Sequence, residues 1–172
     1  MVKLLSGMPI IMPDVNPDQP LLPSVLDRLL DAEPGLSREA PKSRNQSLRE
    51  LKQAVRRDLE NLLNTRKRCV PWPAEMIELK QSLVNYGIPD MTGSSFGSPK
   101  EREEFRRTLQ NLIIMNERRL RKVSVRLLDS TESIDRTIRF LIDAVLQAEP
   151  APEPIQFDST LRLTTGTFEV KG

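Results

Sequence analysis

Histidine is absent from all 172 residues, and cysteine is present once, as Cys69. Without histidine, Ser-His-Asp and Cys-His catalysis and His-containing metal sites are excluded. One thiol makes neither a zinc cluster nor an intrachain disulfide, which fits a reducing compartment. Aromatic residues make up only 4% of the chain, too few to supply stacking platforms for single-stranded nucleic acid. No apolar run approaches the roughly 18–20 residues of a membrane span. Residues 1–11 hold one lysine and a short apolar stretch broken by Gly7 and Pro9, unlike a signal peptide. The expectation is a cytoplasmic protein with no direct membrane insertion, no cofactor and no metal.

Charge is plentiful but unevenly placed. The net charge of +2 divides into −3 over residues 1–37, +6 over residues 38–68 and −1 over the remainder. The centre of the chain is the stretch from Ser98 to Asp129. Ser98, Pro99 and Glu101 form a capping-box start. Phe105, Leu109, Leu112, Ile113 and Leu120 then recur at helical spacing. Past Leu120 the period becomes two. Val123, Val125 and Leu127 alternate with Lys122, Ser124 and Arg126, as in a strand with one buried face.

Upstream, Pro9, Pro13, Pro17 and Pro20 favour an extended arm over residues 1–20. A short helix over residues 23–30 follows, with Ser24 as its cap, and residues 36–46 read as a linker. A second helix is expected from Ser47, capped by Ser47 and Glu50, with Leu48, Leu51, Val55, Leu59 and Leu62 as its apolar stripe to about Thr65. A third is expected over residues 74–86, stopped by Gly87. Downstream, residues 138–145 alternate as a second strand whose outward Leu141 and Val145 suggest a covered face or one meant for a partner. Residues 149–154, rich in proline, read as a stiff spacer outside any sheet interior. Residues 155–163 alternate again, and Thr164, Thr165 and Gly166 connect a returning strand over residues 167–170. The expected fold is α+β, with N-terminal helices packed on a small antiparallel β-meander ending in a hairpin. Residues 1–46 form an arm with a short helix and linker, and residues 47–172 form the domain.

The remaining chemistry is thin. Gly93 to Gly97 has no following Lys-Ser/Thr, so it is a turn and not a phosphate loop. Glu101, Glu103 and Glu104 suit the first turn of a helix through its dipole. Asp58 and Glu60 lie among arginines, where ion pairing accounts for them. No acid stands out with a partner, so no catalytic residue is assigned. Arg49, Lys52, Arg56 and Arg66 to Arg68 form a basic helix, read as a solvated face, then as a site for an acidic protein, and only then for nucleic acid. At the helix-to-strand join, Arg118 and Arg119 either complement the helix dipole or, with Glu117, make a polar contact with another subunit.

Three stretches carry a resemblance: residues 22–30 (Leu22 to Leu30), residues 55–66 with Leu62-Leu63-Asn64-Thr65-Arg66, and residues 82–90 with Asn85-Tyr86-Gly87-Ile88-Pro89-Asp90. Together they resemble the TssE family, baseplate subunits of the type VI secretion system. That family is similar in turn to the small lysozyme-like wedge proteins of contractile phage baseplates. The resemblance covers roughly residues 21–170. It implies a non-enzymatic part that joins the baseplate wedge and nucleates the contractile sheath through β-strand docking. It implies other wedge subunits and sheath subunits as partners, no nucleic acid, and assembly at the inner face of the cell membrane. The family's Glu-Pro-Arg motif corresponds to Glu117, Arg118 and Arg119, taken as the partner-binding residues, with arginine in place of the proline. The alternative function is a lysozyme-like, peptidoglycan-cleaving glycosidase, which needs two carboxylates in one cleft.

Overall fold

The computed structural model describes residues 21, 23–30, 35, 42–69, 73, 75–90, 96–128, 137–148 and 151–172. The expected arm over residues 1–20, the Gly93 to Gly97 turn (apart from Phe96 and Gly97) and the polar turn over residues 130–136 lie outside them. Among the described residues, three α-helices precede four strands: α1 (Val25–Leu29), α2 (Arg44–Asn64) and α3 (Pro99–Asn116), then β1 (Leu120–Leu128), β2 (Thr137–Leu146), β3 (Glu153–Arg162) and β4 (Thr167–Lys171). The strands form one antiparallel sheet in the order β1-β2-β3-β4. This is the expected α+β meander.

α3 starts as its sequence dictates. Ser98 Oγ accepts a hydrogen bond from the Glu101 backbone N–H, and Glu101 accepts one from the Ser98 N–H, each at 3.2 Å. The helix buries Phe105, Leu109 and Ile113 against β1, with Leu112 half-buried beside them. α2 packs along β4 through Val55, Leu59, Leu62 and Leu63. Four phenylalanines tie the two helices' territories together. Phe96, Phe105, Phe140 and Phe168 run edge to face in a chain with centroid spacings of 5.0, 6.5 and 6.1 Å.

Three expectations give way. α2 begins one turn early, capped by Ser43, whose hydroxyl accepts from the Gln46 N–H at 3.3 Å. Ser47 is inside the helix and buried, and its hydroxyl donates to the Ser43 carbonyl at 3.1 Å. Ser43 lies four residues before Ser47, and Arg44, Asn45 and Gln46 between them join the helix because none of them breaks it. The expected third helix is instead two 3₁₀ turns, Ile77–Gln81 and Leu83–Asn85. Ser82 separates them in extended conformation, and Leu83 is left 87% exposed, so no apolar face is buried to sustain a longer helix. Finally, Pro154 is inside β3, opposite Val145. β4 pairs only with residues 158–162, so Pro154 lies where the far side of β3 has no partner strand and its missing N–H is harmless.

β1 hides a further feature. Leu120 and Val123 are both buried although three residues apart, which a regular strand forbids. A bulge between Arg121 and Ser124, with Lys122 at φ 51°, inserts the extra residue and shifts the inward parity from even to odd positions. Val123, Val125 and the half-buried Leu127 then follow the expected alternation.

Candidate assembly site at the helix-to-strand junction

α3 ends at Asn116, and the Glu117 N–H still bonds the Ile113 carbonyl at 2.8 Å. The chain turns through Arg118 and Arg119 before β1 begins. Glu117 is buried at 7% exposure, a cost that its partners must offset. Arg119 does so with a fork: its Nε donates to Glu117 Oε1 at 2.8 Å and its Nη2 to Glu117 Oε2 at 2.5 Å. The Arg119 backbone N–H also donates to Glu117 Oε1, at 3.1 Å. Arg119 Nη2 continues to Asp58 Oδ2 on α2 at 2.6 Å.

From Asp58 the network runs on. Arg57 Nη2 bridges Asp58 Oδ1 at 3.0 Å and Asp27 Oδ1 at 2.7 Å. Asp27 in turn closes the cap of α1, accepting from Ser24 Oγ at 2.5 Å while its own N–H donates to Ser24 Oγ at 3.2 Å. Five alternating charges thus join α1, α2 and the α3–β1 junction. The Glu117 carboxylate raises the Arg119 pKa against the effect of burial, with Asp58 adding to it. Burial alone would push the Asp27 carboxyl up, but the Ser24 hydroxyl and the Arg57 guanidinium hold it below its ordinary value. The Tyr86 phenol is raised, first by burial and then by the nearby Asp58 and Glu117 carboxylates.

The segment that carries Tyr86 is fastened to the end of α2. The Ile88 N–H donates to the Thr65 carbonyl and the Lys67 N–H to the Ile88 carbonyl, both at 2.8 Å. Gly87 sits at φ 103°, and a Cβ there would meet the Thr65 oxygen at 2.5 Å, so the approach demands glycine. The stretches singled out in the sequence therefore converge on one clasp: Asp27, Asp58, Thr65, Tyr86, Ile88 and Glu117 with Arg119.

Of the three expected partner-binding residues, Glu117 and Arg119 point into this clasp, and Arg118 alone is exposed. Arg119 Nη1 is buried with no hydrogen-bond partner. Arg118 lines a cleft of about 440 Å³ with Lys67, Pro89, Leu112 and Met115, the last 56% exposed. The basic helix divides its labour. Arg49 is solvated, while Arg56 Nη1 donates to the Val170 carbonyl at 3.1 Å and Arg66 Nη2 to the Gly166 carbonyl at 2.6 Å. Asn64, which sequence reasoning assigned no role, grips Phe168 from both sides: its Nδ2 donates to the Phe168 carbonyl and its Oδ1 accepts the Phe168 N–H, each at 2.9 Å. A 104-residue separation gives no sequence signal for such a pair.

A partly buried chain of ion pairs thus ties the helices together beside a small open sheet. A family model described as baseplate wedge protein gp25 matches residues 49–151, more than half of the chain. The chain belongs to that family, as its motifs led us to expect, and so to a class of structural baseplate proteins. No curated protein and no solved structure gives a significant match. Among the described residues, no helix is long and apolar enough to cross a membrane.

Proposed function

We propose that this chain is a structural subunit of a type VI secretion baseplate. It joins the wedge, contacts sheath subunits and nucleates the contractile sheath by β-strand docking, working in the cytoplasm at the inner face of the membrane. The observation that carries the reading is the family match, whose span contains Arg57, Asp58, Glu117 and Arg119 of the clasp and the sheet's first two strands. Within it, Arg118 is the residue that touches a partner. Glu117 and Arg119 act at one remove, fixing the junction from which Arg118 projects.

A general acid needs a raised pKa, and Asp27, Asp143 and Glu103 do not offer one: Asp27 and Asp143 are held down, and Glu103 is pulled down to about 2 by hydrogen bonds from Arg106 and Arg107. Affinity capture of the tagged full chain from its native cells, read by mass spectrometry, tests the role. Wedge and sheath proteins are expected with the wild type. Arg118→Glu should lose them while keeping its melting temperature. Arg119→Ala, which strands the buried Glu117 charge, should lose stability by about 2–4 kcal/mol as well. Recovery of no baseplate or sheath protein by the wild type, or clearing of purified cell walls by the pure protein, would overturn the role.

A further inference from the structure

An amphipathic helix ordinarily turns its apolar side toward the core and its polar side to water. α1 does the reverse. Asp27 faces α2, where Arg57 Nη2 holds it at 2.7 Å. Val25 and Leu29 lie roughly 160° round the helix from Asp27, at 3.6 residues per turn, and are 73% and 76% exposed. Leu26 and Leu30 beside them are exposed as well, and no residue of α1 is buried. Single surface leucines are ordinary, but four large apolar side chains within the six residues from Val25 to Leu30 form a patch.

Five residues are too few for a helix to persist on its own. The Ser24 cap and the Arg57 bond to Asp27 order it instead, so a partner meets the apolar face already formed. The face is too small to pair two copies of this chain, since a stable interface takes roughly 20–30 residues a side. It suits a different arrangement, a short helix laid into a groove. Arg28 borders the face, exposed and with no side-chain partner among the described residues. A groove that accepts it therefore needs an apolar floor and an acid at its rim.

We propose that the outward face of α1, made of Val25, Leu26 and Leu29 with Arg28 at its edge, docks into an apolar groove with an acidic rim on another wedge subunit. The inference rests on the wedge role proposed above and adds a second contact, apart from Arg118. Asp27 and Arg57 are positioning residues here: they touch no partner, and they set the angle at which the face is presented. The same chain of ion pairs runs on through Asp58 to Arg119, so one network fixes both contacts.

The test places the photo-reactive residue p-benzoylphenylalanine at Leu29, or at Leu83 as an exposed control on the second 3₁₀ turn, in the full chain co-produced with the wedge subunits that the wild type captures. Crosslinks from position 29 to one groove of one wedge subunit, at least about tenfold more abundant than from position 83, are expected. Crosslinks from 29 to a second copy of this chain or to its own residues 1–20, or none while the subunits still co-purify, would overturn the α1 site and leave the wedge role standing. Capture of no wedge subunit by the wild type would take the role down too. The double variant Val25→Asp/Leu29→Asp should weaken capture about tenfold with an unchanged urea midpoint, because neither side chain is buried. Unchanged capture, or a lowered midpoint showing that the face packs on this chain, would overturn the proposal. Arg28→Glu should weaken capture more at low salt than at high salt, and equal loss at both would overturn the acidic rim.

Discussion

The β4 edge and the β1 edge belong to one sheet, yet one is finished within the chain and the other is not. β4 is five residues long, and Phe168 at its centre is 1% exposed. A helix 21 residues long lies beside it and sends polar side chains to its outward groups. β1 is nine residues long, bulged, and packed on α3 only through its inward face. Its outward face carries Arg126, paired across the sheet to Asp143 at 2.7 Å. Sealing an edge takes hydrogen-bonding side chains at the right heights on a neighbouring helix. α2 has them in Arg56 and Asn64, eight residues apart on one face. α3 presents Arg106 to the corresponding place, but Glu103 and Gln110 already engage that guanidinium, with Glu103 Oε2 and Gln110 Oε1 each 2.7 Å away.

The largest expected effect separates the two strands by their cores. Phe168→Ala should cost about 3–5 kcal/mol, whereas Leu127→Ala, at a half-buried position on β1, should cost about 1–2 kcal/mol. Urea midpoints at constant slope measure the difference. Equal losses would mean that β1 is as firmly built in as β4.

Next comes the seal itself. Asn64→Ala removes both bonds to Phe168 and should cost about 1–2 kcal/mol. It should also expose a second edge, so the variant is expected to self-associate with rising concentration in sedimentation velocity. A variant that stays monomeric would show that Arg56 and Arg66 suffice.

The smallest effect concerns the outer end of the clasp. α1 buries no residue, and Asp27 ties it to Arg57. Because the folded Asp27 carboxyl titrates below its ordinary value of 3.8, the tether is fully present above that pH and is lost as pH falls through the lower folded value. Methyl resonances of Leu26 and Leu29 followed by NMR on acidification should therefore shift before those of Ile113 and Phe140's neighbours on the sheet. Simultaneous changes would show that α1 is held by more than this pair. Asp27→Asn should produce the detached spectrum at neutral pH.

Much of the fold was legible because local chemistry and tertiary context agree. The Ser98 capping box, the apolar spacing of α3, the Gly87 turn and the alternation in β2 and β3 each restrict the backbone over a few residues, and the structure uses all of them. Met76, Leu79, Leu83 and Tyr86 are spaced as in a helix but mostly unburied, and residues 77–85 form 3₁₀ turns instead; spacing alone carries no information about what covers a face. The bulge was not legible, because Leu120 also fits the helical spacing of Phe105, Leu109 and Ile113; only the pairing with β2 shows it.

The sequence by itself determined the long helices α2 and α3 and most of each strand, which faces are apolar, and the family to which the chain belongs. Those properties follow from steric and hydrophobic preferences that act within a turn or a strand. Only the tertiary structure decided that Glu117 and Arg119 turn inward to Asp58, and that Asn64 closes one edge of the sheet while the other stays open. Hydrogen bonds between residues 61 or 104 positions apart depend on where the packed helices come to rest, and no local preference encodes that.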